Sequence, residues 1–157
     1  MGKIKILVMD VDGTMTDGKI YMGKDGELMK AFDIKDGYGI AHLLPQLGIL
    51  PVIITGRKSE ILEHRCRELK IEELHQGIDE KKTVLEQLLS ERNFTFENVA
   101  YIGDDLNDLS CMEAAGLTAC PADACEKIKS TVHYVCAKKG GRGAVREFIE
   151  YIMENSI

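Results

Sequence analysis

The chain has no tryptophan, and its five tyrosines and four phenylalanines are scattered. It therefore offers no row of aromatic faces on which nucleobases could stack. It also lacks an excess of positive charge: 20 Lys and Arg stand against 26 Asp and Glu, a net −6. The cations are spread along the chain rather than gathered in a stripe, so nucleic acid is not an expected partner. A charge of this size favours solubility. No apolar run approaches the ~18 residues of a membrane span. The opening MGKIKILVMD carries two lysines but neither a long apolar stretch nor a small-residue cleavage site, so it does not read as a leader. It also lacks the Ser or Thr that an N-terminal acylation signal needs. The five cysteines, Cys66, Cys111, Cys120, Cys125 and Cys136, are odd in number and form no CxxC. That argues against zinc and disulfide frameworks and for reduced, mostly buried thiols in a cytoplasmic protein. His42, His64, His75 and His133 have no metal-like spacing. Repeats, low-complexity tracts and linkers are absent, and 157 residues suit a single domain.

What is present is an alternation of apolar strands and amphipathic helices. Strands are expected over 4–9, 49–55, 98–103, 117–120 and 132–136, and helices over 59–69, 106–115, 123–129 and 143–154. Another helix runs from about Gly37 to Gly48, disturbed by Pro45. Asp79 is the expected cap of a helix whose Val84, Leu85, Leu88 and Leu89 share one face. Two short runs, 19–22 and 27–34, flank GKDG and predict a β-hairpin. Continuously apolar strands alternating with helices imply an α/β fold, a Rossmann-like three-layer sandwich around a parallel sheet.

In such sheets ligands bind beyond the carboxyl ends of the strands. Three strand ends turn polar there: DVDGT (10–14), TGR (55–57) and GDDLND (103–108). If the first strand persists, Asp10 and Asp12 point to one side, about 6.6 Å apart along the chain. One carboxylate could then attack while the other handles a proton. Gly13 permits a turn, and Thr14 is the candidate to hold it. Clustered carboxylates, joined by Asp104 or Asp105, call for a hard cation with all-oxygen ligands, for which Mg²⁺ is the natural choice. Asn107 and Asp108 are left to cap a helix. Thr55 and the Gly56 amide suit a phosphate oxygen, and Lys81 or Lys82 can add a point charge.

DVDGT, TGR, Lys81 and GDDLND, in that order, resemble the four motifs of the haloacid dehalogenase superfamily of phosphohydrolases. The resemblance implies that Asp10 attacks phosphorus, that Asp12 protonates the leaving alkoxide and then activates water, and that Thr55 and Lys81 hold the phosphoryl group. It implies Mg²⁺ on Asp10, on the backbone carbonyl of Asp12 and on Asp104. The related transport ATPases carry Thr where this chain has Asp12, which argues for a phosphatase. Only 42 residues separate Asp12 from Thr55 and 25 separate Thr55 from Lys81, so no cap domain fits.

More narrowly, FDIKDGYGI, ITGRKSEILEHRC, QGIDEKK and GGRGAVRE resemble the capless branch that hydrolyses phosphates of eight- and nine-carbon keto sugar acids. The likeness runs from Lys5 to about Ile149. It implies a homotetramer with the hairpins, here about 19–32, at its centre. It also implies that a tail, 138–157, carries Arg142 toward a neighbouring site. Arg57 and Arg65 are the candidates for the substrate carboxylate. Arg57 tilts the expectation toward an octulosonate 8-phosphate over a nonulosonate 9-phosphate, where the branch carries an acid; Asn107 is neutral. The competing readings are a mutase or phosphotransferase, a broad phosphatase and a non-catalytic module. The first would need a cap, and the last predicts loss of Asp10, Asp12, Lys81 or Asp104, all of which are present.

Overall fold

The computed structural model describes residues 4–155. Residues 1–3, part of the segment considered above as a leader, and residues 156–157, the end of the 138–157 tail, lie outside it. Strand β1 (Ile6–Met9) is fully buried. A hairpin follows, β2 (Tyr21–Gly23) and β3 (Gly26–Met29), antiparallel and irregular at Tyr21 and Met22. The helical stretch after it starts at α1 (Ile34–Tyr38), passes through a π-helical segment (Gly39–Leu43) and ends in α2 (Leu44–Leu47). Then come β4 (Leu50–Ile54), α3 (Glu60–Leu69), β5 (Glu73–His75), α4 (Lys81–Arg92), β6 (Val99–Ile102), α5 (Leu109–Ala114), β7 (Leu117–Cys120), α6 (Glu126–Lys129), β8 (Tyr134–Val135) and α7 (Ala144–Glu154).

The six long-range strands form one parallel sheet in the order β5-β4-β1-β6-β7-β8. Alternate strand residues feed opposite faces. Leu7, Met9, Ile53 and Ile102 pack with Leu62, Phe148, Ile149 and Ile152 on one side. Ile6, Val8, Ile54 and Tyr101 pack with Leu85, Leu88, Met112 and Ile128 on the other. The expected three-layer α/β sandwich is therefore present, and the described residues contain no cap domain. None of their helices is long and apolar enough to cross a membrane. All five cysteines are free, and four are buried.

Several boundaries differ from expectation for identifiable reasons. The second hairpin strand stops at Met29, because Asp33 accepts from the Lys35 and Asp36 amides and starts a helix at Ile34, three residues before Gly37. Pro45 disturbs that helix as anticipated: the Leu44 amide reaches back five residues to the Gly39 carbonyl, and Gly48 closes the stretch at φ 66°. Asp79 does not cap α4. Glu80 holds the cap position with no side-chain bond, so no cap side chain satisfies the first amides of α4. Ser59 does cap α3, accepting from the Leu62 amide.

Candidate active site

Chain order runs β1, β4, β5 to one edge and β6, β7, β8 to the other, so the direction of winding reverses between β1 and β6. A cleft of about 340 Å³ opens at that point, lined by Asp10, Asp12, Thr55, Gly56, Arg57, Asp104, Asp105, Leu106 and Asn107. Of the sequence-derived residues, Asp10, Asp12, Thr55, Gly56, Arg57 and Asp104 thus meet in one place.

Strand β1 ends at Met9, and the chain turns directly afterwards; the amides of Thr14, Met15 and Thr16 all reach the Val11 carbonyl. Asp10 and Asp12 therefore do not sit on one extended strand. Asp10 is buried at 4% exposure, and its Oδ1 receives Lys81 Nζ at 2.9 Å. Asp12 faces two other cations: Lys30 Nζ is 2.8 Å from Oδ1, and Arg57 Nε is 3.9 Å from Oδ2. The turn itself is held by Thr16 rather than Thr14. Thr16 Oγ1 accepts from the Gly13 and Gly18 amides at 3.2 Å each. Thr14 Oγ1 instead donates to Asp104 Oδ1 at 3.2 Å. Gly13 has φ +90°, and a Cβ there would fall 2.0 Å from Asp104 Oδ2. Only glycine lets the first and fourth motifs approach this closely.

Asp108 is the residue that sequence reasoning misassigned. It stands at the cap position of α5 but makes no side-chain capping bond there; Asp105 caps the short 3₁₀ turn Leu106–Asp108 with its side chain. Fully buried Asp108 accepts from Lys81 Nζ at 2.8 Å, Tyr101 OH at 2.7 Å and the Asp104 amide at 3.2 Å. The signal available was an acid four residues after Asp104 in a chain that turns helical between them. Of the two candidate lysines, Lys82 lies over the Phe96 ring, whereas Lys81 reaches Asp10. Lys81 does not line the cleft; its side chain, 1% exposed, lies beneath Asp10.

Carboxylate oxygens of Asp10, Asp104 and Asp108 lie within 4.8 Å of one another. Burial, then the charge and hydrogen bond of Asp10, push the Asp104 carboxyl up to about 8. Burial and Asp10 push Asp108 up to about 6, against the pull of Lys81 and Tyr101. Burial disfavours the Lys81 ammonium, but Asp10 and Asp108 together outweigh it and hold the group above its usual value. Once all three acids are ionised, three carboxylates against one ammonium leave two negative charges in excess, the amount a divalent cation balances. A hard, all-oxygen donor set of this kind fits Mg²⁺. The Asp12 carboxylate stands outside the acid cluster, so only its backbone carbonyl is left for the metal role expected of it.

Two expected substrate residues lie elsewhere. Arg65 faces a separate groove with Gly37, Tyr38 and Leu69; it pairs with Glu68 at 3.1 Å and lies over the Phe32 ring. Packing against α1 holds it there, so Arg65 does not line the cleft of its own chain. Arg142 is exposed on the 138–143 loop and does not line the cleft either. That loop packs on its own chain: Gly141 N–H donates to the Thr14 carbonyl at 3.1 Å, and a Cβ on Gly140 would fall 1.9 Å from the Gly13 carbonyl. Its glycines serve close approach, not reach.

Residues 68–149 match the haloacid dehalogenase-like hydrolase family. Over 150 residues the chain is 47% identical to a 3-deoxy-D-manno-octulosonate 8-phosphate phosphatase of Yersinia pestis, covering 96% of this chain and 80% of that protein. The chain belongs to the haloacid dehalogenase-like hydrolases. The corresponding phosphatase of Moraxella catarrhalis, solved with magnesium ion, phosphate ion and KDO, superposes on this hydrolase with a TM-score of 0.92. The two are 41% identical over 96% of this chain and 86% of that one. The cobalt-bound enzyme of Haemophilus influenzae gives 0.92 at 38% identity, over 97% and 88%.

Proposed function

We propose that this hydrolase is a Mg²⁺-dependent phosphomonoesterase that converts 3-deoxy-D-manno-octulosonate 8-phosphate into the free sugar acid and phosphate. The observation that carries the reading is Asp10. It lies on the cleft where three strand ends converge, with a buried ammonium 2.9 Å behind it and Asp12 beside it. The substrate class follows from the relatives, whose names specify this sugar phosphate.

Asp10, the Asp12 carbonyl and Asp104 would hold the metal, with Asp108 orienting Lys81 and the Asp104 amide beneath them. Bound there, Mg²⁺ supplies positive charge that offsets the repulsion between a carboxylate and a phosphate dianion. Asp10 attacks phosphorus as the ester P–O bond breaks, and the Asp12 carboxyl gives its proton to the departing alkoxide. Asp12, now a carboxylate, removes a proton from water. The resulting hydroxide attacks phosphorus, the Asp10–phosphorus bond breaks, and both acids return to their starting states. Thr55 and the Gly56 amide bind phosphoryl oxygens, and Lys81 offsets charge from below. Arg57, exposed at the cleft rim beside Asp12, is the residue for the sugar carboxylate.

The open cleft suits closure by neighbouring copies. The hairpin exposes Met22 at 62% and Leu28 at 68%, an apolar surface that a homotetramer would cover; Arg142 would then face a neighbour's site. Reduced thiols suit the cytoplasm. Phosphate release from a panel of eight- and nine-carbon sugar acid phosphates and phosphopeptides, with Mg²⁺ and with chelator, tests the reading. Selective Mg²⁺-dependent turnover of the octulosonate ester is expected. Equal turnover of phosphopeptides, or an active Asp10→Asn variant, would overturn it.

A further inference from the structure

The groups that grip Asp12 come largely from outside the four motifs. Lys30, just past β3, has a side chain only 5% exposed, 2.8 Å from Asp12 Oδ1 and 3.0 Å from Glu27 Oε2. It does not line the cleft. Arg57 approaches the other Asp12 oxygen, and its Nη2 lies 3.6 Å from the same Glu27 oxygen. The second oxygen of Glu27 accepts from Ser59 Oγ at 2.5 Å, and the Ser59 amide donates to Gln76 Oε1 at 2.8 Å. Glu27 is thus tied to the start of α3, and it holds one cation against each oxygen of Asp12. With Asp12 ionised, as after it has given up its proton, the two acids and two bases sum to zero charge. Burying a lysine is costly unless it is paired, and Lys30 is paired twice. The hairpin's other lysines, Lys19 and Lys24, stay exposed.

We propose that Glu27 and Lys30 of the hairpin are positioning residues for Asp12, fixing its carboxyl toward the leaving-group oxygen. The hairpin thereby completes the acid–base machinery of its own chain. This rests on the role given to Asp12 above. In the first half-reaction the electron pair of the broken P–O bond goes to the leaving oxygen, which takes the Asp12 proton. An alkoxide needs that proton, whereas 4-nitrophenolate leaves without it. Loss of positioning therefore affects alkyl esters selectively. A displaced catalytic group costs on the order of 10²-fold, within the 10²–10⁴-fold that general acid–base catalysis contributes.

The test compares kcat/KM, which reports events up to alcohol release, on benzyl phosphate and 4-nitrophenyl phosphate for wild type, Lys30→Met and Lys30→Arg. Lys30→Met is expected to lose roughly 10–100-fold on benzyl phosphate and less than about threefold on 4-nitrophenyl phosphate. Lys30→Arg should recover most of the loss. An equal loss on both esters, or none on either, overturns the proposal, since a purely structural lysine would not sort substrates by leaving group. Circular dichroism checks folding. If Lys30→Met is unfolded, Glu27→Gln takes its place with the same expected selectivity. Wild-type inactivity on the octulosonate ester would instead remove the functional reading itself, a result distinct from the loss of this role for Lys30.

Discussion

Lys81 is one cation held by two buried acids, and its replacement exposes what it does. Lys81→Met leaves Asp10 and Asp108 buried without their partner, which costs about 3–5 kcal/mol for a broken buried pair. Turnover should fall by roughly 10²–10³ or more, as when a charge-stabilising group is removed. Denaturant titration and steady-state assays check the two effects separately. The acids themselves predict a pH dependence for the metal-free protein. Asp104 near 8 and Asp108 near 6 keep their protons in the fold at pH values where the unfolded chain, with ordinary carboxyls at 3.8, has lost them. The folded state then binds more protons between about pH 4 and pH 8, so stability falls as pH rises through that window. Melting temperature without metal should therefore drop across this range. Mg²⁺ should restore it by mass action, and Asp104→Asn should flatten the upper part of the slope.

Among the elements, α7 depends on a side chain far away in sequence. Asp36 in α1 is buried, and its Oδ1 accepts from the Arg146 amide at 2.9 Å; it also meets the Gly143 amide. An acid at the start of α7 offsets the unsatisfied amides there. Its burial pushes the carboxyl up to about 6 despite those bonds. Asp36→Ala should destabilise the protein by about 1–3 kcal/mol, the cost of orphaned buried donors, measured by urea unfolding. At the other end of the same loop, Glu147 accepts from the Ala137 and Lys138 amides at 2.8 and 2.9 Å. The 138–143 loop, anchored at both ends, presses on the turn that carries Asp12. Gly140→Ala must displace the Gly13 carbonyl. It should lower kcat as well as melting temperature, whereas a mere surface loop would tolerate the methyl.

At the scale of the whole molecule, the exposed apolar residues of the hairpin predict association. Sedimentation equilibrium should give four times the 17.5 kDa chain mass, and Leu28→Asp should lower it. Because Glu27 and Lys30 flank the exposed Leu28 and Met29 of that hairpin, dissociation and loss of turnover on alkyl esters should appear together. Arg142→Ala should reduce activity only in the assembled form; a fully active monomer would remove the case for assembly.

Local chemistry wrote the layers of this fold and three corners of its site. Apolar runs of four or five residues, each ending in a polar cluster, announced β1, β4 and β6, and with them Asp10, Thr55 and Asp104. Ser59 and Gly48 marked helix ends through their own capping chemistry. Those features depend on residues near one another in the chain, so they can be read without a fold. Arg65 and Lys30 could not be sorted that way. One is drawn into a groove by α1 and the other is brought onto Asp12 by a hairpin that folds back, and both outcomes depend on which surfaces meet. Asp108 looked like a helix cap because its neighbours are helical; only the packing of α4 against α5 brought Lys81 to it. Backbone pattern is settled within a few residues, whereas a buried charge goes wherever a distant partner repays its desolvation.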